Sequence, residues 1–172
     1  GSASASEILA GALGESAGAE LIGLTSFGKG TVQEVSYLDG GANLKFTTGK
    51  WLTPKGNWIN EKGIKPTIKV AYPEYASLPY IDPSVELTTD SQSGIVEAAE
   101  LMLDVLGYDP GDVDETYTEQ TASAVEKFQA ANELEVTGIL VEETTYALMD
   151  ALRVKMLEDD PQMLKAKEVL LK

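Results

Sequence analysis

Ser4 in GSASASE and Lys29 in FGKGTVQ are the candidate nucleophile and base of this chain, with Gln33 four residues beyond the lysine. Their candidacy follows from what is missing. The 172 residues contain no histidine and no cysteine. A Ser-His-Asp triad, a His-ligated metal, a disulfide and a thiol nucleophile are therefore excluded within the chain. A serine paired with a lysine is one of the few nucleophile systems left. Lysine ordinarily titrates near ~10.4 and is then a poor base at neutral pH. A working base sits nearer ~7–8, and holding it there costs about 4 kcal/mol, which burial can supply. Gly28 and Gly30 put no side chain beside Lys29 and let other backbone approach it. Gln33 can accept a hydrogen bond from an amine. Were residues 29–33 a strand, the two side chains would stand ~13 Å apart. In a helical turn they would be neighbours. Direct service of Lys29 by Gln33 thus predicts a turned or helical segment there.

Ser4 stands before a helix start, between Ala3 and Ala5, whose small side chains let a substrate carbonyl approach. Amides at a helix N-terminus can stabilise a developing oxyanion, and the Ala5 N–H is the candidate donor. Ser2 and Ser6 are nearby hydroxyls, read as structural.

Charge narrows the partners. Against 13 basic residues stand 28 acidic ones, a formal charge of −15. Such a surface repels phosphate backbones and anionic membranes, so no nucleic-acid partner is expected. Residues 1–80 hold seven lysines and seven acids, whereas 81–172 hold six basic and 21 acidic residues, so two units with different surfaces are expected. The absence of cysteine is compatible with an oxidising exterior. No apolar stretch reaches the ~18 residues of a spanning helix, and Glu15 and Glu20 interrupt the small-residue run from Ile8 to Leu24. No signal peptide is visible.

The positioning elements follow from the pattern. Ser6 to Leu13 reads as a helix capped by Ser6, with Glu7 in its first turn. Leu21 to Leu24 suits a short buried strand. Gln33–Leu38 and Ala42–Thr48 flank Asp39-Gly40-Gly41 as a hairpin, with Leu44 and Phe46 on the face opposite Lys45. Pro66 to Val70 reads as one more strand. Residues 81–92 are polar and read as a linker. Beyond them the period becomes helical: Val96, Ala99, Leu103 and Leu106, closed by Gly107; then Thr121, Ala124, Val125 and Phe128; then Ala147, Leu148, Ala151 and Leu152. Three short helices predict a small bundle. VDETYTEQT from Val113 and VTGILVEET from Val136 repeat one loop-to-helix device, in which a threonine opens the helix. Asp160 and Pro161 start a last helix whose stripe of Met163, Ala166, Val169 and Leu170 wants a partner.

GSASASEILAGAL, ELIGLTSFGKGTVQE, LKFTTGKWLTP and GKGIKPTIKV together resemble the C-terminal processing (tail-specific) peptidases over residues 1–80. The resemblance implies a mixed α+β and α/β fold: the C-terminal part of a crotonase/Clp-protease-like domain. It implies Ser4 as nucleophile, Lys29 as general base and Gln33 as the residue positioning Lys29, with no cofactor and no metal. It also implies a larger enzyme with upstream sequence and a PDZ domain, so this chain alone is expected to have little or no proteolytic activity. VEAAELMLDVLGYD, TEQTASAVEKFQAANELEVTG and EETTYAL resemble the three-helix peptidoglycan-binding domain over residues 93–152. Glu115 and Thr118 stand where that pattern favours glycine, and Glu100 where it favours glutamine. Phe128 is expected in the core, and Tyr108 and Tyr117 are surface-contact candidates. The tail DDPQMLKAKEVLL, in a C-terminal helix expected over 153–172, is similar to the last helix of the peptidases and would help form homo-oligomers.

These resemblances imply an extracytoplasmic bacterial serine endopeptidase, membrane-anchored or secreted and associated with the cell wall. It would cleave proteins near unstructured C-termini by acyl-enzyme chemistry. The alternatives are a non-catalytic wall-binding or assembly fragment and a regulatory protein-binding module.

Overall fold

The computed structural model describes residues 2–171. It is mixed α and β, and its chain divides into two compact units: residues up to Ala71 together with those from Pro161 onward, and Tyr72–Asp160 between them.

The first unit opens with α1, Ala5–Ser16. The helix starts at Ala5 rather than after Ser6, because Ser4-x-x-Glu7 supplies the cap: the Glu7 carboxylate accepts the Ser4 N–H at 2.9 Å. Two short strands, β1 (Ile22–Gly23) and β4 (Ile68–Lys69), pair in parallel. They are extended by Leu21 N–H to Thr67 Oγ1 at 2.9 Å and Val70 N–H to Gly23 O at 2.9 Å. Between them lies the antiparallel hairpin of β2 (Thr31–Tyr37) and β3 (Asn43–Lys50). Gly40 and Gly41, both at positive φ, make its turn. Leu44 and Phe46 do share one face, yet both are exposed. The last helix, α5 (Pro161–Leu170), rejoins this unit: Gln162 Nε2 donates to Val70 O at 3.2 Å and lies against Gly23 of β1.

The second unit packs α2 (Gly94–Val105) against α3 (Glu119–Ala131) and α4 (Glu142–Glu158). Val96, Ala99, Leu103, Ala124, Val125, Phe128 and Leu148 are all fully buried, as their spacing predicts. Gly107, at positive φ, ends α2 by donating to Asp104 O at 2.9 Å.

Residues 81–92 are no linker. Ile81 and Leu87 are buried in this core, and Leu87 exchanges backbone hydrogen bonds with Leu140 at 3.0 and 3.1 Å. Two apolar side chains among polar neighbours carry no period, and tertiary packing alone recruits them. Tyr117 is likewise core rather than surface, 1% exposed, with its hydroxyl donating to Gly138 O at 2.8 Å. Tyr108 is half-buried and meets the Phe128 ring edge-on at 5.4 Å. The repeated threonines do not open their helices: Thr121 and Thr144 stand one turn in, behind Thr118 and Val141 at the caps. Residues 153–158 belong to α4, so the final helix begins only at Pro161.

Gln129 and Glu100 organise the loops of this unit. Gln129, 1% exposed, accepts the N–H groups of Thr137 and Gly138 at 2.9 Å each and donates to Ile139 O at 3.0 Å. Glu100, fully buried, accepts from Thr121 Oγ1 at 2.6 Å and from Asp114 N–H at 2.9 Å. Burial pushes the Glu100 carboxyl above its ordinary value, against the opposing effect of those two hydrogen bonds.

Candidate active site

Ser4 is the N-cap residue of α1 and is exposed. Its backbone stands at φ 52° and ψ −113°, a left-handed conformation that a residue with a Cβ adopts at a cost of about 1–3 kcal/mol. The cap is made through the backbone: the Ser4 carbonyl accepts from Glu7 N–H at 2.9 Å and Ile8 N–H at 3.0 Å. Ala5 is the first helical residue, so its N–H belongs to the first turn, where amides lack an intrahelical acceptor.

Lys29 lies in an irregular stretch just before β2 and is half-buried. The backbone of residues 28–30 is held mostly by side chains from elsewhere in the unit. The Lys29 N–H donates to Glu7 Oε2 at 2.8 Å, and its carbonyl accepts from the Trp51 indole at 2.9 Å. Gly28 O accepts from Glu61 N–H at 2.8 Å, Gly30 N–H donates to Asn60 Oδ1 at 3.2 Å, and Gly30 O accepts from the Trp58 indole at 3.0 Å. Both glycines are needed for this closeness. A Cβ on Gly28 would meet Gly63 N at 2.7 Å, and one on Gly30 would meet Asn60 N at 2.8 Å.

Gln33 lies in β2 and is exposed. The turned or helical segment expected around Lys29 is not formed; residues 25–30 are irregular and Thr31 begins the strand. Gln33 sits at a register shift, paired with Thr47 while Val32 pairs with Gly49. Bulges of this kind re-aim neighbouring side chains. Among the described residues, no hydrogen bond joins the Lys29 ammonium to Ser4 or Gln33.

What joins Ser4 to Lys29 is Glu7, which sequence reasoning placed only as a first-turn acid. Glu7 is fully buried. Oε2 accepts the N–H groups of Ser4 and Lys29 at 2.9 and 2.8 Å; Oε1 accepts the Gly28 N–H and the Ser26 hydroxyl, each at 2.6 Å. Burial pushes this carboxyl up, but the donors from Ser26, Lys29, Gly28 and Ser4 together outweigh it and hold it below its ordinary value. Phe27 N–H also donates to Ser2 O at 2.9 Å, so the 26–29 loop runs beside the turn that carries Ser4. The sequence signal for Glu7 was available in Ser4-x-x-Glu7, but its partners at 26, 28 and 29 are distant in the chain. A cleft of 660 Å³ is lined by Gly11, Gly14, Leu21, Trp58, Ile59 and Ile64, and neither Ser4 nor Lys29 lines it.

Comparison with known proteins divides the chain much as its two units do. Residues 1–70 match Peptidase family S41, and residues 92–148 match the putative peptidoglycan binding domain. Carboxy-terminal processing protease CtpA of Bacillus subtilis (strain 168) is 45% identical over 100% of this chain, which covers 37% of that protein. CtpB of the same organism is 43% identical over 90% of the chain and 32% of its own length. A probable CtpA-like serine protease of Staphylococcus haemolyticus (strain JCSC1435) is 36% identical over 93% of the chain and 32% of its own length. The chain thus spans about a third of the length of these relatives.

Proposed function

We propose that a chain matching peptidase family S41 over residues 1–70 and a peptidoglycan-binding family over residues 92–148 is a portion of a serine endopeptidase that trims proteins near their C-termini at the cell wall. Its likeness to carboxy-terminal processing proteases along its whole length supports the reading. The observation that supports it is that the backbone N–H groups of Ser4, held at positive φ, and of Lys29 share one carboxylate oxygen of Glu7.

In this reading Ser4 Oγ attacks the scissile carbonyl while Lys29, as an uncharged amine, takes the hydroxyl proton. The Ala5 N–H receives the oxyanion of the tetrahedral intermediate. Lys29 then passes the proton to the leaving amine. The acyl-enzyme that remains is attacked by a water from which Lys29 takes a proton, and Lys29 returns that proton to Ser4 Oγ as the new C-terminus leaves. Gln33 would steady the lysine from the start of β2. Residues 1–80 would form the C-terminal part of a crotonase/Clp-protease-like domain, and the three-helix unit would hold the enzyme on peptidoglycan. Secretion or membrane anchoring and self-association through α5 complete the proposal.

The test uses the full natural polypeptide carrying this sequence and a peptide substrate with a free, unstructured C-terminus. Ser4→Ala is expected to abolish cleavage while retention on purified peptidoglycan is unchanged. Cleavage at the wild-type rate by Ser4→Ala would remove Ser4 as the nucleophile, and absence of cleavage by the parent protein would leave a wall-binding or assembly role in its place.

A further inference from the structure

We propose that Glu7 is the positioning residue of the Ser4–Lys29 pair, setting the distance and angle between nucleophile and base by binding the backbone N–H of each through one oxygen. The proposal rests on the Ser–Lys reading above. The donors to the Glu7 carboxylate are the Ser4, Gly28 and Lys29 N–H groups and the Ser26 hydroxyl, so its role is to place backbone and not to carry the proton.

Three features of Glu7 exceed what a helix cap requires. A cap needs an acceptor for the N-cap N–H, which Oε2 supplies to Ser4 at 2.9 Å. The same oxygen also takes Lys29 N–H at 2.8 Å, 22 residues away in the chain. Those two amide nitrogens can therefore be no farther apart than the two bonds laid end to end. The other oxygen takes Gly28 N–H and the Ser26 hydroxyl at 2.6 Å each, which fixes the loop's orientation as well as its distance. All four acceptor positions of the carboxylate are thereby filled by donors, and its side chain is fully buried. Ser26 carries the frame one step further, its hydroxyl accepting Ile64 N–H at 2.7 Å.

A carboxylate is the side chain that suits this task. A glutamine in the same place offers one acceptor oxygen and turns an NH2 toward two of the four donors. Either the Ser4 and Lys29 N–H groups or the Gly28 N–H is then repelled, while the Ser26 hydroxyl can turn to accept. An aspartate keeps both oxygens but withdraws them by one methylene. Misplacing reacting groups by about 1 Å costs on the order of 100-fold in rate.

The experiment compares Glu7→Gln, Glu7→Asp, Ser4→Ala and Lys29→Ala in the full natural polypeptide, reading kcat and KM for a tail peptide beside the thermal unfolding profile. Glu7→Gln is expected to lower kcat about 100-fold with KM within about twofold and a folded protein, and Glu7→Asp to restore part of kcat. Where Glu7→Gln fails to fold, Ser26→Ala is read the same way, with kcat expected to fall several-fold at unchanged KM. Wild-type kcat in the folded Glu7→Gln protein, or in Ser26→Ala when that variant is the one read, overturns the positioning role. So does a loss of rate that merely tracks the folded fraction. If Ser4→Ala or Lys29→Ala cleaves at the wild-type rate, the Ser–Lys reading itself fails and the role of Glu7 falls with it. If both abolish cleavage while Glu7→Gln retains full kcat, the reading stands and the positioning role alone is lost.

Discussion

The backbone amides of Ser4 and Lys29 converge on a single atom, Oε2 of Glu7, at 2.9 and 2.8 Å. One residue opens a helix and the other lies in an irregular loop, so nothing in local secondary structure would keep them in register. The buried carboxylate does so, and it also accounts for how Ser4 can persist at φ 52°. Hydrogen bonds to a charged acceptor contribute roughly 1.5–3 kcal/mol each, enough to offset a strained backbone of about 1–3 kcal/mol.

That strain is measurable. Ser4→Gly and Ser4→Ala both remove the hydroxyl, but only glycine relaxes at positive φ. Ser4→Gly is expected to be more stable than Ser4→Ala by about 1 kcal/mol, read as a higher urea midpoint at equal slope. Equal midpoints would mean that the turn is not strained.

The lysine loop tolerates no side chain at Gly28, which combines φ 88° with backbone atoms 2.7–2.9 Å from a prospective Cβ. Gly28→Ala is expected to cost about 2–4 kcal/mol in thermal unfolding. Gly49 in β3 has open space around it, and Gly49→Ala should fall within about 0.5 kcal/mol of the parent. Similar losses from both would refute the close packing at Gly28.

The two buried glutamates respond oppositely to acid. The folded Glu7 carboxyl lies below its ordinary value of 4.5, so its stabilisation is complete above that pH and is lost as pH falls through the folded value. Glu100 lies above 4.5 because burial penalises its charge, so the folded state holds the proton more tightly. Its unit is therefore least helped when Glu100 is fully ionised, and gains stability as pH falls through the raised value. Glu100→Gln removes the charge and is expected to raise stability at pH 7 by about 1 kcal/mol and to flatten the pH dependence between that value and 4.5. A less stable Glu100→Gln protein at pH 7 would show that the ionised carboxylate is worth its burial.

Charge also governs the proposed wall contact. Residues 81–172 carry 21 acids against six basic residues. Retention of the protein on purified peptidoglycan bearing anionic polymers should rise between about 0.01 and 0.15 M NaCl, as the screening length falls from ~30 to ~8 Å. Retention that falls with salt would point instead to attraction by a local basic patch.

Strongly periodic parts were legible in the residues. Alternation around Asp39-Gly40-Gly41 located the hairpin, and the spacing of Val96, Ala99 and Leu103 located α2 and its buried face. Single residues recruited by distant packing were not. Ile81, Leu87 and Tyr117 sit among polar neighbours and carry no repeating signal, yet each is buried. At the site, residue types and a resemblance singled out Ser4, Lys29, Gln33 and Ala5, but not the geometry of the pair. A serine between alanines announces no positive φ, and a glutamate in a first helical turn looks like an ordinary dipole partner until the loop 19–22 residues later folds onto it.

Tyr72 and Asp160 stand where the chain enters and leaves the second unit, and the tyrosine hydroxyl donates to the aspartate carboxylate at 3.2 Å. A segment whose two ends are clasped in this way is portable. It can be spliced into a host at one surface point, and exchanged for another of different specificity, provided the newcomer's termini converge as closely. Recombination at Tyr72 and Asp160 would thus exchange the second unit while leaving Ser4, Glu7 and Lys29 in the first unit unchanged.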